Sequence, residues 1–143
     1  FADDNFGVAM GDPVNECLSV LTTNDGGETW KKISCIKLPK VNEGEAAFAA
    51  SNTNLKIIGD KIWMVSGGKK SRVFLSEDKG ETWKVYETPI LQKYESSGIF
   101  SVDFYDEKKG FAVGGDYANP KNNSANKMMT ENGGKTWKLM SRN

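Results

Sequence analysis

The sequence predicts an all-β fold built of β-propeller blades, and three observations carry that expectation. An eight-residue phrase occurs three times: Thr23-Asn24-Asp25-Gly26-Gly27-Glu28-Thr29-Trp30, Ser76-Glu77-Asp78-Lys79-Gly80-Glu81-Thr82-Trp83 and Thr130-Glu131-Asn132-Gly133-Gly134-Lys135-Thr136-Trp137. Its tryptophans stand 53 and 54 residues apart, and a fixed period of that size marks a modular β array. A second internal match lies upstream: Phe1-Ala2-Asp3 with Gly7-Val8-Ala9-Met10-Gly11-Asp12 parallels Phe104-Tyr105-Asp106 with Gly110-Phe111-Ala112-Val113-Gly114-Gly115-Asp116.

Each position of the phrase suits a hairpin turn. Asp at the third place accepts hydrogen bonds from backbone N–H groups a few residues on. Gly at the fifth permits a positive φ. Ser or Thr at the first place and Thr at the seventh bond across the turn, and Trp at the eighth opens the next strand and buries a large apolar area. Asn132 stands where the other copies have Asp25 and Asp78; it keeps the acceptor and loses the charge, so the turn should survive.

Strands are expected before each phrase, at Cys17–Thr23, Arg72–Ser76 and Lys127–Thr130, and after each, at Trp30–Ile36, Trp83–Tyr86 and Trp137–Met140. The middle unit adds Leu55–Ile58, a Gly59-Asp60 corner and Lys61–Val65 running into Gly67-Gly68. Four strands per period then follow as meanders, the anatomy of a propeller blade. The alanine-rich Glu43–Ala50 favours helix in isolation, but its place in the period calls for the innermost strand of the second blade. The expected division is 1–38 for a first blade incomplete at its start, 39–90 for the second and 91–143 for the third, together one partial propeller.

Propellers need ~4–8 blades to close, and about two and three-quarter periods are present. Either the sequence is a piece of a longer chain with more blades, or two copies close a six-bladed ring across isologous interfaces. The first is preferred, because the sequence begins inside its first blade pattern.

Composition excludes several function classes. Basic and acidic residues balance at 19 each, so no global field points to nucleic acid or an anionic membrane. The only arginines are Arg72 and Arg142, which leaves few bidentate clamps for phosphate or carboxylate. Histidine is absent, removing the usual general base and the commonest zinc ligand. No run of 18 apolar residues exists, so no membrane insertion is expected, and no charged leader followed by an apolar stretch opens the sequence. No metal or cofactor is expected. If strands flank the first phrase symmetrically about Gly26, Cys17 faces Cys35; a cross-strand disulfide then suits a secreted or periplasmic setting. Two free cysteines in a reduced protein are the alternative.

The phrase resembles the Asp-box (BNR) repeat. With Gly110-Phe-Ala-Val-Gly114 ahead of the third copy, the chain is similar to the Ycf48-like family of photosystem II stability and assembly factors. The stretch Glu43–Asn52 and the phrase Gly114-Gly-Asp-Tyr117 resemble its bacterial, non-photosynthetic members, some of which carry an oxidoreductase label. No Gly-x-Gly-x-x-Gly, Cys-x-x-Cys or haem motif supports that label. The resemblance implies a β-propeller and says little about function, because sialidases, sortilin-type receptors and assembly factors all share the repeat.

Functional candidates lie on the expected inner strands and their ends: Asp12, Glu45, Ser51, Asn52, Ser101, Asp103, Asp116 and Tyr117. Inner strands and channel loops are where propellers dock ligands. Asp12 and Asp116 follow glycine and equally suit turn caps. The phrase residues themselves read as self-satisfied structural turns. The loop Tyr117–Asn126 is a polar insertion suited to recognition. The reading is a non-catalytic binding or assembly module presenting loops to a protein or glycan; the alternative is a sialidase-like hydrolase or lyase whose site is completed outside this segment.

Overall fold

The computed structural model describes residues 1–48 and 50–141; Ala49, inside the Glu43–Ala50 segment, and Arg142 lie outside the described residues. Among the described residues, thirteen β-strands form three antiparallel sheets. The first sheet orders β1 (Gly7–Val14), β2 (Cys17–Thr23) and β3 (Lys31–Lys32). A two-residue β4 (Glu45–Ala46) follows. The second sheet is a meander of β5 (Leu55–Ile58), β6 (Lys61–Val65), β8 (Arg72–Ser76) and β9 (Lys84–Glu87), with a short β7 (Gly67–Gly68) between β6 and β8 in sequence. The third is a meander of β10 (Ser97–Phe104), β11 (Gly110–Asp116), β12 (Lys127–Thr130) and β13 (Lys138–Leu139), extended beyond β10 by β7 and β4. This is the architecture of a partial propeller.

The blades repeat in register. Gly7, Ile62 and Gly110 each pair with the first residue of a phrase, Thr23, Ser76 and Thr130. Val8, Trp63 and Phe111 are therefore equivalent, as are Met10, Val65 and Val113.

Strand alternation decides how the sheets stack. Ile62 and Met64 of β6, with Phe74 of β8, face the first sheet and join Leu18, Val20 and Phe6 in one buried cluster. Trp63 and Val65, with Val73 and Leu75, face the other way and join Val102, Phe104, Ala112, Met128 and Trp137 in a second. The middle blade is thus apolar on both faces, and each large side chain buried there is worth about 1.5–3 kcal/mol. Trp63 stacks on Phe104 with ring centroids 3.9 Å apart, and its Nε1 donates to the Gly133 carbonyl at 2.8 Å.

All three phrases fold alike. The first-place hydroxyl donates to the third-place side chain, at 2.7 Å for Thr23–Asp25, 2.8 Å for Ser76–Asp78 and 3.1 Å for Thr130–Asn132. The third-place Oδ1 accepts the seventh-place N–H at 2.8–2.9 Å. Each tryptophan Nε1 donates to the fifth-place glycine carbonyl at 2.9–3.1 Å. Positive φ occurs at the fourth place as well as the fifth, including Lys79 at 55°. There the fourth-place N–H donates back to the turn joining the blade's first two strands, at Asn5, Asp60 and Lys108.

Two expected strands differ. After the first phrase only Lys31–Lys32 is strand; Ser34 then caps a 3₁₀ turn at Cys35–Lys37. That turn carries Cys35 to Cys17, and the two form a disulfide with Cα atoms 5.6 Å apart. In the Glu43–Ala50 segment only β4 is strand. It pairs with β7, and the chain then loops out before resuming the inner strand as β5. The alanines therefore sit on an excursion from the inner strand.

Candidate functional site

The three inner edges converge on a cleft of about 600 Å³. One wall carries Asp12 of β1. The excursion after β4 supplies Ala46, Ala47, Phe48, Ala50 and Ser51, and the third blade supplies Glu95, Phe100 and Tyr117. Phe48 is its centre: its ring lies 5.2 Å from Phe100 and 6.1 Å, edge-on, from Tyr117. It also covers Gly67, where any side chain would occupy the space of the ring.

Each wall is aimed by a break in regular pairing. The β1–β2 register shifts between Gly11 and Val14, leaving Asp12 and Pro13 out of the ladder. The β10–β11 register shifts between Ile99 and Ser101, leaving Phe100 as the extra residue. Bulges of this kind re-aim a side chain and cluster beside functional sites. The excursion is tied down at both ends: Ala47 N–H donates to Asp12 Oδ1 at 3.1 Å, and Ser51 Oγ donates to the Phe100 carbonyl.

The sequence candidates separate into groups. Asp12, Ser51 and Tyr117 line the cleft. Asp116 lies at its edge as a turn cap, accepting Ala118 N–H at 3.0 Å. Asn52 is exposed and Ser101 half-buried, and neither lines the cleft. Asp103 lies elsewhere, on the outer face of the third blade, paired with Lys56 at 2.6 Å. Lys56 beside it, aided by the Phe104 N–H, holds its carboxyl below the usual carboxylate range.

Glu45 is buried beneath the site and does not face it. Its carboxylate meets Arg72 at 3.0 Å and 2.7 Å, accepts Ser66 Oγ at 2.6 Å and accepts Asn42 N–H at 2.8 Å. Burial pushes this carboxyl up, but Arg72, Ser66 and Asn42 outweigh burial and hold it below its ordinary value. A buried charge satisfied on every side is a structural anchor. It uses Arg72, one of the chain's two arginines, for packing.

Phe48, Phe100 and Glu95 were not among the sequence candidates. Phe48 lay in a segment read as strand, and a bulge leaves no compositional mark around Phe100. Among the described residues, no group of three or more Cys, Asp or Glu side chains is placed to hold a metal ion. Nor is any helix long and apolar enough to cross a membrane.

A three-sheet arc with a ligand-sized cleft at its inner edge defines a partial β-propeller of the binding kind. The family model Sortilin-Vps10 (sortilin, neurotensin receptor 3) matches residues 18–143, and the chain belongs to that family. Two solved structures are similar over 99% of the chain: YCF48 bound to D1 peptide, at 19% identity and a TM-score of 0.66, and YCF48 from Cyanidioschyzon merolae, at 21% and 0.53. The chain spans 38% of the length of each. No curated protein matches the sequence.

Proposed function

We propose that the chain is a non-catalytic binding or assembly module whose rigid β scaffold presents the aromatic cleft to a segment of a partner protein. The observation that carries this is the convergence of Phe48, Phe100 and Tyr117 from two blades, opposite Asp12 from a third. Rigid rings give large contact area at low entropic cost, and a mainly apolar concavity with a few polar groups is the usual form of a binding site. Asp12 and Glu95 on its walls suit a basic residue in the bound segment, since cations stack on rings and pair with carboxylates. The structurally similar YCF48 solved with a D1 peptide supports a peptide ligand for this chain. A glycan stacking its apolar face on the same rings is the second ligand class. The Cys17–Cys35 disulfide supports a secreted or periplasmic setting. The blade division remains 1–38, 39–90 and 91–143.

Peptide and glycan arrays probed with the purified chain test this reading. Phe48→Ala and Tyr117→Ala should each weaken any captured ligand about tenfold, the ~1.4 kcal/mol of a central aromatic contact. Asp103→Asn, on another face, should leave affinity unchanged. Undiminished affinity in both aromatic variants would remove the cleft as the site. Asp12 and Glu95 also bear on the hydrolase alternative, because both reach the cleft. Glycan cleavage lost in Asp12→Asn and Glu95→Gln would replace the binding reading with that one.

A further inference from the structure

The outer face of the third blade is the counterpart of an interface already formed twice within the chain. At the first boundary Val8 joins Ile57 and Trp83 in one apolar cluster. At the second, the equivalent Trp63 stacks on Phe104, which in turn sits edge-on to Trp137 at 6.0 Å. Ile57 and Phe104 are equivalent, each pairing with the first residue of its blade's second strand, and Trp83 and Trp137 close their phrases. On the third blade the equivalent aromatic is Phe111, and it is 41% exposed. It stands beside Met129, Tyr105 and Met140 around a cleft of about 380 Å³.

The opposite end of the chain carries the matching half. Phe1 and Trp30 repeat the Phe104–Trp137 pair, edge-on at the same 6.0 Å. Phe1 lies over Gly7 as Phe104 lies over Gly110. Yet Phe104 and Trp137 are 4% and 8% exposed under Trp63, whereas Phe1 and Trp30 are 66% and 39% exposed. One end thus presents the projecting aromatic without its receptor pair, and the other presents the receptor pair without its aromatic.

We propose that a second copy of this chain docks on these faces, with Phe111 of each copy seated on Phe1 and Trp30 of the other, so that two three-blade arcs close one six-bladed ring. The occupant follows from complementarity with continuity: both halves of the contact belong to the same chain, and the intervening boundary shows them joined. A twofold axis along the channel repeats the contact on both sides. The two aromatic clefts then face one central channel.

Light scattering after size exclusion, over a range of concentrations, reads the result directly. The wild-type chain should rise to twice the mass of a single chain and stop there. Phe111→Glu should remain a single chain with unchanged far-ultraviolet circular dichroism, and so should Trp30→Glu. Mixing those two variants restores one intact contact, so a one-to-one pair should form where neither variant pairs alone. A wild-type chain that stays single at every concentration overturns the proposal. So does a Phe111→Glu chain that still doubles, or a mass that climbs past two copies.

Discussion

At the residue scale, the third place of the repeated turn shows how one carboxylate is used and how it can be replaced. Asp25 accepts the Thr29 hydroxyl and backbone N–H and the Thr23 hydroxyl, and these bonds hold its carboxyl down to about 2. In the third copy Asn132 keeps the Oδ1 bonds but turns Nδ2 toward Thr136 Oγ1 at 2.8 Å, so the threonine hydroxyl changes from donor to acceptor. The turn survives because a hydroxyl can serve in either sense. Asp25→Asn should therefore fold normally. A depressed folded pKa contributes stability that is present above the unfolded value of 3.8 and lost as pH falls through about 2. The variant lacks that titration, so its thermal midpoint should fall less steeply than the wild type's between about pH 4 and about pH 2. Melting curves at several acid pH values check this; identical slopes would uncouple the carboxylate from acid stability.

At the element scale, the disulfide holds what the sheet does not. With β3 only two residues long, the chain beyond it is kept against the first sheet by the Cys17–Cys35 bond across a separation of 18 residues. Reduction should lower stability by about 3 kcal/mol, the loop-closure value for a ring of that size, which denaturant titration with and without reductant would measure. This element also marks the limit of what could be read from sequence. The phrase turns, the strands before them and β5, β6 and β11 were legible, because Asp, Gly and alternating apolar residues have local causes. The short outer strand was not, since pairing ended at Ile33 for reasons of tertiary packing. The Ala-rich segment misled for a related reason: its place in the period was right, but only Glu45–Ala46 pairs, and the rest departs to carry Phe48 over Gly67. Asp12, Ser51 and Tyr117 were legible as site residues from their places at strand ends. Phe100 was not, because only the β10 bulge turns it inward.

At the scale of the whole molecule, stability lies between the sheets, as in other stacked arrays. Trp63 is wholly buried, stacks on the next blade and donates a hydrogen bond into its phrase turn. Trp63→Ala should cost about 3–5 kcal/mol, the range for emptying a large aromatic site, and equilibrium unfolding would register it. The two boundaries are not built alike. Between the second and third blades the main chains themselves are joined: Gly98 pairs with Gly67, where neither could carry a side chain, and Val102 N–H donates to the Thr53 carbonyl at 2.9 Å. The first sheet meets the second through apolar side chains and the Asp12–Ala47 bond. The molecule is therefore a stiff pair with a looser wing, and the aromatic cleft spans the joint between them. Its rings are fixed to the stiff pair while Asp12 rides on the wing, so the gape of the cleft follows the swing of the first blade.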